Sequence, residues 1–126
     1  MRPTVLLYRV EETKRNTVAA VCARLDIRIR SVAPEAYGQP LEAVLGFSQP
    51  VLLPEEGDVA EEMLVMAGFS SSLMDSFLTG LRHSRVSLPL KAALTQTNRR
   101  WSGAALYREL CREREAFLQG RAAHEA

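Results

Sequence analysis

The chain has 126 residues, 47% hydrophobic and 25% charged, and its 16 basic residues are set against 15 acidic ones. That size and balance fit one ordinary globular domain over residues 1–126 with a single core, and a formal charge of +1 supplies no global field for nucleic acid or an anionic membrane. Met1–Val10 is neither a signal-peptide pattern nor an apolar span of ~20 residues, and the distant Cys22 and Cys111 make no disulfide framework, so a cytoplasmic location is expected.

Thr4–Val10 is apolar and β-branched with little polar alternation, which predicts a central strand. Glu11–Asp26 predicts an amphipathic helix with Val18, Val21, Cys22 and Leu25 on its apolar face. Ile27–Ala33 alternates strictly, with Arg28 and Arg30 on one side, as an edge strand with a solvated face does. Pro34–Ala60 is irregular and holds four prolines. Within it Leu41–Leu45 is worth one or two helical turns ended by Gly46, and Pro54–Ala60 reads as an acidic loop.

Met63–Ala67 is a short apolar run closed by Gly68, suited to a strand buried on both faces. After Phe69 the period changes. Leu73, Met74, Phe77, Leu78 and Leu81 recur at helical spacing, and Ser70 or Ser71 offers the N-cap. Leu88–Thr95 is strand-like again, and a last helix is expected from about Ser102 to about Leu118, followed by a frayed tail over residues 119–126. No internal repeat is visible.

The alternation β-α-β-(short α)-β-α-β-α predicts a small three-layer α/β sandwich on a mostly parallel four-stranded sheet, in strand order 2-1-3-4. A ferredoxin-like α+β fold, with the third strand antiparallel to the second, is the alternative. The parallel arrangement is preferred because Leu41–Leu45 would serve as a crossover helix. It would also lay the first and last helices side by side on one sheet face, where Cys22 and Cys111 would approach each other as a redox or dimer contact.

Glu61–Ser70, the helix after it, and Pro89–Thr95 through Asn98 to Trp101 resemble a family of small bacterial proteins known only as a domain of unknown function; the Tyr37–Leu41 turn is similar to that family's N-terminal part. The resemblance implies a fold and a bacterial cytoplasmic setting for most of the chain, and no activity. A looser resemblance is to response-regulator receivers, with Glu11 and Glu12 after the first strand and Thr95 ending the fourth. The third strand, however, ends in Met66-Ala67-Gly68-Phe69, without the phospho-accepting Asp, and Lys91 stands at the wrong end of its strand. Phosphoryl transfer to Asp is therefore rejected.

In a parallel sheet the ligand site would lie between the carboxyl ends of the first and third strands. Those ends would gather Glu11, Glu12, Ser70 and Ser71, with Thr95, Asn98, Arg99 and Trp101 along the rim. Ser70 and Ser71 at a helix N-terminus would hold an anion through free N–H groups, or else simply cap the helix. Asn98, Arg99 and Trp101 would bind an anionic ligand or a partner; alternatively, Trp101 staples the incoming chain to the core beside the last helix, which Asn98 or Ser102 caps. No Gly-rich phosphate loop, nucleophile–base pair or metal-ligand spacing is present, and no cofactor or metal is expected. The leading expectation is a non-enzymatic module for a partner protein or small anion. The alternatives are a small enzyme with Glu11 or Glu12 as acid–base group, and a structural homodimer.

Overall fold

In a computed structural model, which describes residues 1–125, four strands form one sheet in the order β2-β1-β3-β4. The strands are β1 (Thr4–Tyr8), β2 (Arg28–Val32), β3 (Met63–Ala67) and β4 (Leu90–Ala93), and the helices are α1 (Glu12–Arg24), α2 (Leu41–Val44), α3 (Ser71–His83) and α4 (Gly103–Glu125). The expected strand order holds, but the sheet is mixed: β1–β2 and β3–β4 are parallel pairs, whereas β1 and β3 run antiparallel. The helix expected to end near Leu118 continues to Glu125, so the tail expected from Gln119 is helical that far; Ala126 lies outside the described residues.

The reversal of β3 has a physical origin in the irregular segment before it. α2, four residues long, leads toward the end of the sheet where Gly68 lies but does not deliver the chain into β3 there. The chain instead runs out as far as Phe47 and is drawn back. Gln39 clamps Val51 in both directions (3.0 and 2.8 Å), the Glu55 N–H donates to the Gly38 carbonyl (3.2 Å), and Val59 is fully buried. β3 therefore starts at the end of the sheet where β2 finished.

Side-chain alternation divides the core in two. Val5, Leu7, Leu64 and Met66 face α1 and α3, packing on Val18, Cys22, Phe77 and Leu81. Leu6, Tyr8, Met63 and Val65 face α2 and α4, packing on Tyr37, Leu41 and Leu106. Cys22 and Cys111 thus lie on opposite faces of the sheet, and the expected side-by-side placement of the first and last helices does not occur. α4 approaches closely because its first residue is Gly103: a Cβ there would stand 2.3 Å from Cε2 of the buried Tyr8 ring.

The two halves follow one path. Moving from residue 4 to residue 63, a shift of 59, superposes strand on strand, Arg9 (φ +55°) on Gly68 (φ +77°), and N-cap Glu11 on N-cap Ser70. The same shift superposes two 13-residue helices and carries Asp26 (φ +56°) onto Arg85 (φ +58°). Leu6 pairs with Val65, its own counterpart, so an approximate two-fold axis runs between them. No sequence repeat announces this, because only the backbone path and the apolar pattern are shared.

Candidate functional site

Because β1 and β3 are antiparallel, their carboxyl ends lie at opposite ends of the sheet, and the expected site is divided. Tyr8 is opposite Met63 and Thr4 is opposite Ala67. Glu11 and Glu12 therefore stand at the Met63 end, whereas Ser70, Ser71, Thr95, Asn98 and Arg99 stand at the Gly68 end.

At the Met63 end both glutamates are exposed, and α1 has no side-chain cap of its own. The Glu62 carboxylate accepts from the Glu11 N–H (3.0 Å) and from Lys14 Nζ (2.6 Å). Burial alone pushes the Glu62 carboxyl up, but the Glu11 N–H and Lys14 outweigh it and hold it below the usual carboxylate range. Nearby, Arg114 forks onto Glu61 at 2.9 and 2.7 Å and lowers that carboxyl too, with help from the Tyr107 hydroxyl at 3.2 Å. Cys111 Sγ lies 4.0 Å from the same carboxylate. Hydrogen bonding with Cys111, then burial and Glu61, push the Tyr107 hydroxyl up to about 12.

At the Gly68 end the expected residues take different roles. Ser70 caps α3 by accepting from the Leu73 N–H (3.1 Å), and Ser71 is exposed in its first turn. Asn98 is buried and occupied: its Oδ1 accepts from Thr95 N–H, its Nδ2 donates to the Ala93 carbonyl, and its own N–H donates to Thr95 Oγ1. Trp101 packs half-buried against the α2–α4 core, and its carbonyl accepts from Leu41 N–H at 2.8 Å. Ser102 caps α4.

Thr95 and Arg99 do meet in one cleft of about 500 Å³, walled by Met1, Phe47, Gly68 and Leu94. Arg99 is held there by Glu42 at 3.0 Å. Met1 and Phe47 also wall a second cleft of about 430 Å³ that contains Arg2, Arg28 and Arg30. Four guanidinium groups thus surround two adjoining clefts, against two paired carboxylates, Glu42 and Asp26. Met1 and Phe47 are both more than half exposed between them. Arg2, Arg28, Arg30, Glu42 and Phe47 were not among the expected site residues. The strict alternation of Ile27–Ala33 was the signal for the two strand arginines; nothing in the Pro-rich segment marked Phe47.

The two clefts thus combine arginine side chains, three of them held by protein partners, with apolar walls and open access. Among the described residues no three His, Cys, Asp or Glu side chains converge on a metal position, and no described helix is long and apolar enough to cross a membrane. Comparison with curated proteins and with solved structures finds no match. The stretch from the start of β3 into α4, residues 62–117, matches the family described as Domain of unknown function (DUF3783), a match that stops short of the Tyr37–Leu41 turn.

Proposed function

We propose that the chain is a non-enzymatic cytoplasmic binding module whose ligand is anionic and is taken at the Gly68 end of the sheet. The observation that carries this reading is the pair of clefts joined at Met1 and Phe47, where Arg2, Arg28, Arg30 and Arg99 converge beside apolar walls. Guanidinium groups donate in a fixed fork that suits carboxylate and phosphate oxygens, and apolar walls add contact with a carbon skeleton. The free thiols of Cys22 and Cys111 agree with a reducing compartment.

A thermal-shift screen against inorganic phosphate, citrate, acyl carboxylates and acidic peptides tests it. A ligand at ~100 times its Kd stabilises by about 2.7 kcal/mol. Loss of that shift in Arg28→Ala/Arg30→Ala, with Glu11→Gln/Glu12→Gln unaffected, supports the reading. A hit that depends on Glu11 or Glu12 instead would revive the small enzyme with an acid–base carboxylate.

A further inference from the structure

We infer that β2 is an acceptor strand: an extended acidic segment of a partner protein adds to its free edge, with its carboxylates on Arg28 and Arg30. The inference rests on the anionic-ligand reading of the same end of the sheet and names the ligand as a polypeptide.

The free edge follows from the register. The Arg28 N–H donates to the Pro3 carbonyl at 2.9 Å, and Arg28, Arg30 and Val32 stand opposite Thr4, Leu6 and Tyr8. In a parallel pair the residues between these turn both N–H and C=O away from the neighbour. Ile29 and Ser31 therefore present unpaired donors and acceptors outward, and among the described residues β2 pairs with β1 alone. The opposite edge strand is treated differently: on β4 the Asn98 side chain closes over the Ala93 carbonyl at 3.0 Å. One outward carbonyl of β4 is thus occupied, whereas among the described residues no hydrogen bond reaches the outward backbone groups of Ile29 and Ser31.

A groove runs along the open edge. The cleft holding Arg28, Ile29 and Arg30 adjoins one of about 320 Å³ holding Arg30, Ser31 and Val32, with Val44 and Pro50 on its far wall. Arg30 stands between them, its Nη1 fixed on the Val44 carbonyl at 2.5 Å with its other N–H groups still available. The alternation that puts Leu6, Tyr8 and Val32 in the α2–α4 core puts Arg28 and Arg30 on that face, while Ile29 packs on the other.

Charge selects the occupant. Alternate residues of an added strand face one side of the sheet, so acidic residues two apart meet Arg28 and Arg30, each opposite-charge pair favouring the register. A second copy of this chain is disfavoured, because β2 against β2 sets arginine against arginine. Main-chain pairing supplies affinity and the alternate side chains supply choice, as in other strand-addition complexes.

Hydrogen exchange by NMR on the full chain tests this, with an end-blocked peptide alternating valine and glutamate as probe. At roughly ten times its Kd, exchange at Ile29 and Ser31 should slow about tenfold, with β4 amides unchanged. Citrate and inorganic phosphate should leave both amides exchanging at the free rate. The variant Arg28→Glu/Arg30→Glu should lose this protection and regain it with the corresponding valine–lysine peptide, which separates charge selection from damage to the fold. Citrate binding at the arginines without peptide protection of Ile29 and Ser31 overturns strand addition and leaves the anionic-ligand reading standing. Failure of every anion and the peptide overturns both, and protection that grows with protein concentration alone assigns the edge to a second copy.

Discussion

Residues 4–27 and 63–86 build the same strand–turn–helix unit from different chemistry, and the difference shows how each end of the sheet is finished. In the second unit the left-handed turn residue is Gly68, and Ser70 caps its own helix. In the first the left-handed residue is Arg9, and Glu11 offers no side-chain cap. The missing pieces are borrowed from the segment entering β3. Glu62 accepts from the N–H of the N-cap residue Glu11, Asp58 pairs with Arg9 at 2.7 Å, the Val59 carbonyl accepts from the Arg9 guanidinium, and that group lies over the Tyr37 ring. The first unit's carboxyl end is thereby closed by the chain itself, while the second unit's end stays open beside the arginine clefts.

The largest test of this comparison lies in the shared core. Val18 and Phe77 are counterparts, both with no exposed surface. Phe77→Ala should cost about 3–5 kcal/mol in urea denaturation and Val18→Ala about 2 kcal/mol; equal losses would mean the units share the core evenly. Where α1 crosses α3, Val21 meets Gly80, and a Cβ on Gly80 would stand 2.8 Å from Val21 Cγ1. Gly80→Ala should lose about 1 kcal/mol, crowding outweighing the gain in helix propensity. In a Val21→Ala background the same change should stabilise, and a double-mutant cycle reads the coupling.

The turns and caps give smaller effects. Gly68→Ala should cost about 1–2 kcal/mol for its left-handed φ, whereas Arg9→Gly relieves the same conformation but loses the exposed pair with Asp58 and the part-buried bond to Val59, for a net loss of about 1 kcal/mol. Ser70→Ala should cost about 1 kcal/mol. At the closed end the signature is in pH. Glu61 and Glu62 have folded pKa values below their unfolded ones, so they bind fewer protons when folded. Their stabilisation is complete above the unfolded carboxylate value of about 4.3 and is lost as pH falls through the lowered folded values. Glu62→Gln should flatten that acid limb of the melting profile; an unchanged limb would remove Glu62 from the account.

The four strands and the long helices were legible from apolar period, strand order 2-1-3-4 from the alternation of strands and helices, and the caps from Ser102 and the pair Ser70 and Ser71. The direction of β3 was not. It depends on how far the irregular stretch before it travels and where it is pinned, and the pins are pairwise contacts such as Glu55 on Gly38 that leave no periodic trace. That one unread direction moved Glu11 and Glu12 away from Ser70 and Thr95, and it put Cys22 and Cys111 on opposite faces. Asn98 was recognised as a polar group at a strand end, but its three hydrogen bonds close the β4 turn. Arg28 and Arg30 were legible as one side of an edge strand. That they border a groove depends on α2 and Phe47, which the strand pattern does not record.

The most direct test of the central claim is chemical-shift mapping of the full chain titrated with citrate. Perturbations should be confined to Arg2–Thr4, Arg28–Arg30, Leu45–Phe47 and Thr95–Arg99, at the open end of the sheet. Perturbations centred on Glu11, Glu12 and Lys14, with that end silent, would contradict it.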